Sequence, residues 1–308
     1  MLGAEPLRLP ELIVAGAPKC GTTSLFDWLT AHPMVWGTPE KEVRFFIDAG
    51  YPLQRRVGPG LGYDEASYAE RFCAAPRDTV VVDATPDYLY QVAALQHIPR
   101  LTSQPSVIFV LRNPAARLRS MFEFAQNNMA SIDRALDFPG FVDDIAQGRA
   151  SAGVDPLVAA AAEHSRYSKF LGGWRRSLPP SQMLVIIFED MVARPRDAVR
   201  AILGRFDMDL ALYDRYDFPS RNRTVAIRSK GLHRFKRAVV QALPSLRRAT
   251  TLRSIYSAMN KRVIESERGP DKALPDRAAA FLDELVRSEH EWLANECGVH
   301  TPWPKDSV

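Results

Sequence analysis

The sequence predicts an α/β fold in three layers: a central parallel sheet flanked by helices on both faces, followed by a helical C-terminal part. Three observations predict it. Short apolar runs without alternation, at residues 11–16, 79–83, 106–111 and 183–188, read as strands buried on both faces. Segments with helical spacing lie between them. A glycine-bounded turn joins the first strand to the first helix.

ELIVAG at residues 11–16 is the first strand, and residues 17–21 form the turn. Residues 22–31 then carry Leu25, Phe26, Trp28 and Leu29 on one helical face, and His32-Pro33 stops the helix. TVVVD at 79–83 is the second strand, with a helix beginning near Asp87 after Thr85-Pro86. SVIFVL at 106–111 is the third strand. Asn113-Pro114 opens a helix running to about residue 128, with proline in the first turn, where its missing donor costs little. A helix over about 165–177 precedes Pro179-Pro180, MLVIIF at 183–188 is the fourth strand, and 195–206 is helical. Beyond about residue 204 only helical spacing continues, near 229–242, 250–267 and 276–296. One domain over 1–308 is expected, with an α/β core over about 11–206 and a helical part over about 207–308. The strand ends line one edge of such a sheet, and ligands of open α/β sheets bind there.

The bulk properties set limits. With 308 residues, 46% hydrophobic and 25% charged, the chain can bury a core without staples. Cys20, Cys73 and Cys297 form no CxxC pair and no dense framework, so neither a disulfide scaffold nor a zinc site is indicated, and no metal is expected. No secretory signal opens the chain, and no stretch approaches the ~20 apolar residues of a membrane span. A cytoplasmic location without a membrane span is expected. The net charge of +4 is mild. Basic residues cluster over 221–237, but no aromatic platform accompanies them, and no nucleic-acid partner is expected. Nothing in the sequence speaks to oligomeric state.

GAPKCGTTS at residues 16–24 carries the first chemistry. Backbone N–H groups at a helix N-terminus lack partners, and the helix dipole adds partial positive charge there. Lys19 adds a full charge, and Thr22, Thr23 and Ser24 add hydroxyls, so an anionic phosphate is the natural occupant. The arrangement is P-loop-like, with one departure. The GxxxxGK[ST] pattern needs lysine where Thr22 stands, and this lysine comes three residues earlier. Asp83 could be proposed for a Walker B role, yet no strand makes that role obvious. Arg112, at the end of the third strand, suits a second phosphate through its planar fork, and Ser120 lies about two helical turns into the next helix. By spacing alone Glu42 reads as a surface carboxylate pairing with Lys41 or Arg44. No HxxxH or HExxH pattern occurs, and His164 reads as a surface residue near a helix start.

APKCGTTSLFDWLTAHP resembles the 5′-phosphosulfate loop of the sulfotransferases that use 3′-phosphoadenosine 5′-phosphosulfate (PAPS), in particular the branch holding the heparan sulfate N- and 3-O-sulfotransferases and their bacterial relatives. The resemblance implies that Lys19 contacts the 5′-phosphate and the bridging oxygen, while Cys20, Gly21, Thr22, Thr23 and Ser24 belong to the loop around the 5′-phosphate. SVIFVLRNPAARLRSMFEF resembles the family's 3′-phosphate motif, R-[DN]-P-x-x-R-x-x-S, which implies 3′-phosphate binding by Arg112 and Ser120 and a structural role for Arg117. Arg228, Ser229, Lys230 and Gly231 resemble the basic loop that closes over the 3′-phosphate. KEVRFF at 41–46 resembles the segment whose glutamate is the general base, which nominates Glu42. FEDMVARP at 188–195 resembles a further family segment, and within it Phe188 reads as core, like Trp174.

The resemblance covers about 12–195 and thins after 204. It implies transfer of a sulfuryl group from PAPS to a hydroxyl or amine by in-line displacement, with 3′,5′-ADP as product and no metal. The acceptor implied is a carbohydrate or glycosylated small molecule. Two departures count against heparan sulfate itself: Ala84 stands where the glycosaminoglycan enzymes carry lysine, and Arg44 where the 3-O enzymes carry histidine. The alternative reading is a P-loop-like small-molecule kinase using ATP. A non-catalytic nucleotide- or nucleic-acid-binding protein is the third.

Overall fold

The structure is a computed structural model that describes residues 7–53, 63–129, 131–133, 135–149, 155–220, 225–227, 261–263 and 273–303. The chain falls into two compact units. The first comprises Met1–Arg117, Ala162–Arg221 and Leu282–Val308; the second comprises Leu118–Ala161 and Asn222–Phe281.

The first unit is built on a five-stranded parallel sheet: β1 Leu12–Gly16, β2 Val35–Gly37, β3 Val80–Asp83, β4 Ser106–Leu111 and β5 Met183–Ile187, in the order β2-β3-β1-β4-β5. β1 and β4 are buried over nearly their whole lengths, as unalternating apolar runs require of strands covered on both faces. Among the described residues the α-helices are α1 Thr22–Leu29, α2 Glu65–Ala69, α3 Val92–His97, α4 Pro114–Phe124, α5 Phe138–Ala146, α6 Pro156–Ala159, α7 Tyr167–Ser177, α8 Phe188–Ala193, α9 Pro195–Leu203 and a C-terminal helix, Asp276–Cys297. The predicted three-layer α/β class is the observed one: a central parallel sheet with flanking helices.

The order of the strands decides where a ligand can sit. β1 lies at the centre, between β3 and β4. Gly16 registers with Phe109, and the Ala17 amide donates to the Val110 carbonyl at 2.7 Å. The turn after β1 and the residue after β4 therefore leave the sheet side by side, at the C-terminal edge where open α/β sheets bind ligands.

Within the second unit, Phe122 on α4 packs against Phe138 and Phe141 of α5, with ring centroids 5.7 and 5.1 Å apart. Arg119 lies over the Phe138 ring at 4.3 Å. A short antiparallel ribbon, β6 Val225–Ile227 with β7 Lys261–Val263, belongs to the same unit.

Three differences from the sequence reading are informative. β2 is a strand only because Val35–Gly37 pairs with Val80–Val82, and three residues carry no period of their own. Lys261–Val263 is extended inside the segment predicted as a helix over 250–267, so the C-terminal part is not wholly helical. The fourth strand stops at Ile187, and Phe188 begins a helix whose first turn holds Glu189 and Asp190. Two acidic residues there suit a helix N-terminus rather than a strand end. The predicted helix near 229–242 lies outside the described residues.

Candidate active site

The turn expected to take a phosphate is shaped by two left-handed residues, Lys19 at φ 71° and Gly21 at φ 79°. Gly21 also caps α1 without offering a side chain, so the cap makes no side-chain hydrogen bond to the first turn. Only glycine fits there. A Cβ on Gly21 would come within 2.7 Å of the Phe188 ring and 3.0 Å of Met191 Cε. Gly21→Ala is expected to destabilise the fold by roughly 1–3 kcal/mol, from the left-handed backbone and the overpacking together; the urea midpoint measures it. For Lys19, a non-glycine residue in this conformation is unusual, and such outliers cluster at functional sites.

Thr22 and Ser24 are buried and Thr23 is half-buried. Cys20 serves the loop's packing. Its amide donates to the Ala17 carbonyl at 3.2 Å, and its thiol lies 3.8 Å from Tyr167 Oη. Burial pushes that thiol up from its ordinary value, which leaves it protonated and unreactive.

Arg112 follows β4 directly. Its backbone is held by Tyr167, whose hydroxyl donates to the Arg112 carbonyl at 2.8 Å. Its guanidinium lies 4.8 Å over the Phe188 ring, the same ring that closes on Gly21. Among the described residues no carboxylate pairs with it, and its buried Nε has no hydrogen-bond partner. A guanidinium beside a phosphate loop and without an anion is a fitting place for a second phosphate. Phe188 is thus half-buried and wedged between the loop and Arg112; it is not the core residue that an apolar strand end would make it. Its neighbour Glu189 fixes the start of α4, accepting from the Asn113 amide and from Trp303 Nε1, both at 3.0 Å.

Arg117 is buried and points back at the loop. It donates to the Pro18 carbonyl at 3.0 Å, to Ser165 Oγ at 2.8 Å and to Tyr90 Oη at 3.0 Å. These bonds hold the loop from beneath. His164 stacks on Tyr90 with ring centroids 3.9 Å apart, and burial, helped by the Arg117 charge, lowers its pKa to about 3. It is therefore a neutral packing residue and not the surface histidine expected.

Glu42 lies in the segment after β2. Its carboxylate is 28% exposed and pairs with Lys41 at 3.5 Å and with the Arg44 guanidinium. Burial lowers the Lys41 pKa, against the raising pull of Glu42. Asp87 faces the same group. Burial raises its pKa, the Tyr51 hydroxyl at 2.9 Å counters that, and the Glu42 charge adds to the rise. Asp87 also feels the Arg117 charge, which links the Glu42 segment electrostatically to the residues beneath the loop. Arg44, the departure from histidine, has φ 55°. Ala84, the other departure, is fully buried.

Asp83 is closed to a metal-binding Walker B role. Its carboxylate is fully buried and accepts from three hydroxyls: Thr85 at 2.7 Å, Tyr68 at 2.8 Å and Tyr88 at 3.0 Å. Desolvation raises it to about 6, against those three bonds. A carboxylic acid raised in the folded state contributes stability that is present below its unfolded value near 3.8 and is lost as the pH rises through 6. At neutral pH the ionised group is therefore a cost to the fold.

The structure places the loop of Lys19, Cys20, Gly21, Thr22, Thr23 and Ser24 beside Arg112, in one unit with Glu42. Ser120 lies on α4 in the second unit. Arg228, Ser229, Lys230 and Gly231 lie outside the described residues. Phe188, Tyr167 and Asp87 escaped the sequence reading as site-forming residues, and Asp83 entered it only as a candidate for a Walker B role. The motif around FED was the one signal for Phe188 and Glu189; the others bear on the site through contacts distant in sequence.

A profile of the sulfotransferase family matches residues 61–211. The chain is 26% identical over 214 residues to heparan sulfate glucosamine 3-O-sulfotransferase 3B1 of Mus musculus, covering 70% of this chain and 50% of that protein. It is 24% identical over 208 residues to the bifunctional heparan sulfate N-deacetylase/N-sulfotransferase 2 of Homo sapiens, covering 63% of this chain and 22% of that one. The chain spans about half the length of the first of these curated relatives. A crystal structure of a sulfotransferase from Alicyclobacillus acidocaldarius superposes with a TM-score of 0.52 at 24% identity, covering 67% of this chain and 89% of that one, and shares the fold. No helix among the described residues is long and apolar enough to cross a membrane. The profile match and these relatives, added to a glycine-bounded loop and an arginine leaving adjacent strands side by side, support the sulfotransferase family for this chain.

Proposed function

We propose that the protein transfers a sulfuryl group from PAPS to a hydroxyl, or an amine, of a carbohydrate or glycosylated acceptor, releasing 3′,5′-ADP. The observation that carries this reading is the pairing of the α1 N-terminus and its loop with Arg112 across one aromatic ring, Phe188. Two anion-binding elements side by side suit a nucleotide phosphorylated at both the 5′ and 3′ positions.

Glu42 accepts the proton as the acceptor oxygen attacks sulfur. The bond from sulfur to the bridging oxygen breaks, and negative charge grows on the departing 5′-phosphate. Lys19 and the first-turn amides of α1 face that charge and stabilise it more in the transition state than in the ground state. The saccharide class rests on the relatives, which are heparan sulfate sulfotransferases. Arg44 and Ala84 turn this chain from that polymer toward another glycan.

The competing kinase reading places ATP in the loop, where a 3′-phosphate brings nothing. Thermal unfolding with 3′,5′-ADP, ADP plus Mg²⁺, or an oligonucleotide separates the readings. A ligand at 100-fold its Kd stabilises the fold by about 2.7 kcal/mol. The expected result is a marked rise in Tm with 3′,5′-ADP and little with the other two. Stabilisation by ADP with Mg²⁺ and none by 3′,5′-ADP would favour the kinase. Labelled sulfate transferred from PAPS onto a source-cell extract then identifies the acceptor by mass.

A further inference from the structure

Asp83 takes no part in the transfer described above, yet the segment bearing Glu42 hangs from it. Two of the three hydroxyls that donate to Asp83 carry a second bond. Thr85 Oγ1 accepts from the Arg44 amide at 3.1 Å, and Tyr88 Oη accepts from the Phe45 amide at 3.0 Å. A hydroxyl has one proton, and an ionised carboxylate can only accept. Asp83 therefore fixes the polarity of both chains: each hydroxyl gives its proton inward to Asp83 and turns a lone pair outward to the loop.

We infer that Asp83 is a positioning residue for sulfuryl transfer, setting the place of Glu42 through Thr85 and Tyr88. This rests on the reading of Glu42 as the base. Arg44 is the link. Its backbone is held by Thr85, and its guanidinium grips the Glu42 carboxylate two residues upstream. Its left-handed backbone needs such an external hold. Phe45, Phe46 and Ile47 are buried just beyond, so the loop is anchored on one side by apolar packing and on the other by these two polar bonds.

The charge state fits the role. With its pKa near 6, Asp83 is ionised at neutral pH and can accept all three hydroxyl bonds. The groups facing it are Tyr68 from α2, Thr85 and Tyr88 from beyond β3, and the Lys41 charge, which favours ionisation. A buried carboxylate that weakens the fold when ionised is understandable where it organises a site.

The test is amide hydrogen exchange on the full chain, comparing wild type with Asp83→Asn, Thr85→Val, Thr85→Ser and Tyr88→Phe. Losing one net hydrogen bond should speed exchange roughly 3- to 10-fold. Thr85→Val should release the Arg44 amide, Tyr88→Phe the Phe45 amide and Asp83→Asn both, while β4 amides stay protected. Thr85→Ser should restore the wild-type rate. Apparent kcat and KM for labelled PAPS, with a fixed source-cell extract as acceptor, give the second readout. In Thr85→Val, kcat should fall while KM for PAPS and affinity for 3′,5′-ADP stay unchanged. Unchanged exchange at Arg44 and Phe45 in Asp83→Asn, with β4 intact, overturns the tether. Faster exchange with unchanged kcat overturns its catalytic meaning. Glu42→Gln, assayed alongside, reports separately on the base assignment.

Discussion

Glu42→Gln is expected to lower turnover by about 10²–10⁴-fold, the usual contribution of a positioned general base. Glutamine keeps the shape of the side chain and one acceptor oxygen for Lys41 or Arg44, but it cannot take up the acceptor's proton. The fold should tolerate the change. The Glu42 side chain is 28% exposed and open to water, which limits what its ion pairs contribute to the fold. Affinity for 3′,5′-ADP should hold, because the phosphate loop and Arg112 are untouched. Steady-state kinetics with labelled PAPS, beside calorimetric titration of 3′,5′-ADP, make the comparison. Normal turnover in this variant would move the base elsewhere.

Arg112→Ala is expected to weaken 3′,5′-ADP binding by about tenfold to a few hundredfold, since charge-assisted hydrogen bonds contribute roughly 1.5–3 kcal/mol each. Binding of 5′-AMP should change much less. The two nucleotides differ only in the 3′-phosphate, so the difference between their losses isolates what Arg112 reads. Equal weakening of both nucleotides would remove the 3′-phosphate assignment.

The parts of the fold legible in the sequence are those whose signal is local. β1, β3 and β4 are unbroken apolar runs, and the C-terminal helix, Asp276–Cys297, repeats an apolar face over many turns. The phosphate loop was legible for the same reason: strand, turn and helix N-terminus are contiguous, and so are Leu111 and Arg112. β2 was not, because Val35–Gly37 takes its conformation from a partner strand more than forty residues later. Phe188 misled because an aromatic after MLVII continues a strand pattern, while the turn into α8 depends on Glu189 reaching Asn113 and Trp303. The Asp83 network was out of reach altogether. Nothing in VVVDATPDYLY says that its hydroxyls meet the backbone of residues 44 and 45, since that contact exists only once the Glu42 segment folds over the end of β3.

A crystal grown with 3′,5′-ADP is the most direct measurement. The expected density places the 5′-phosphate at the N-terminus of α1 within reach of Lys19, and the 3′-phosphate against the Arg112 guanidinium. Nucleotide bound elsewhere, or a 3′-phosphate turned away from Arg112 into solvent, would contradict the account.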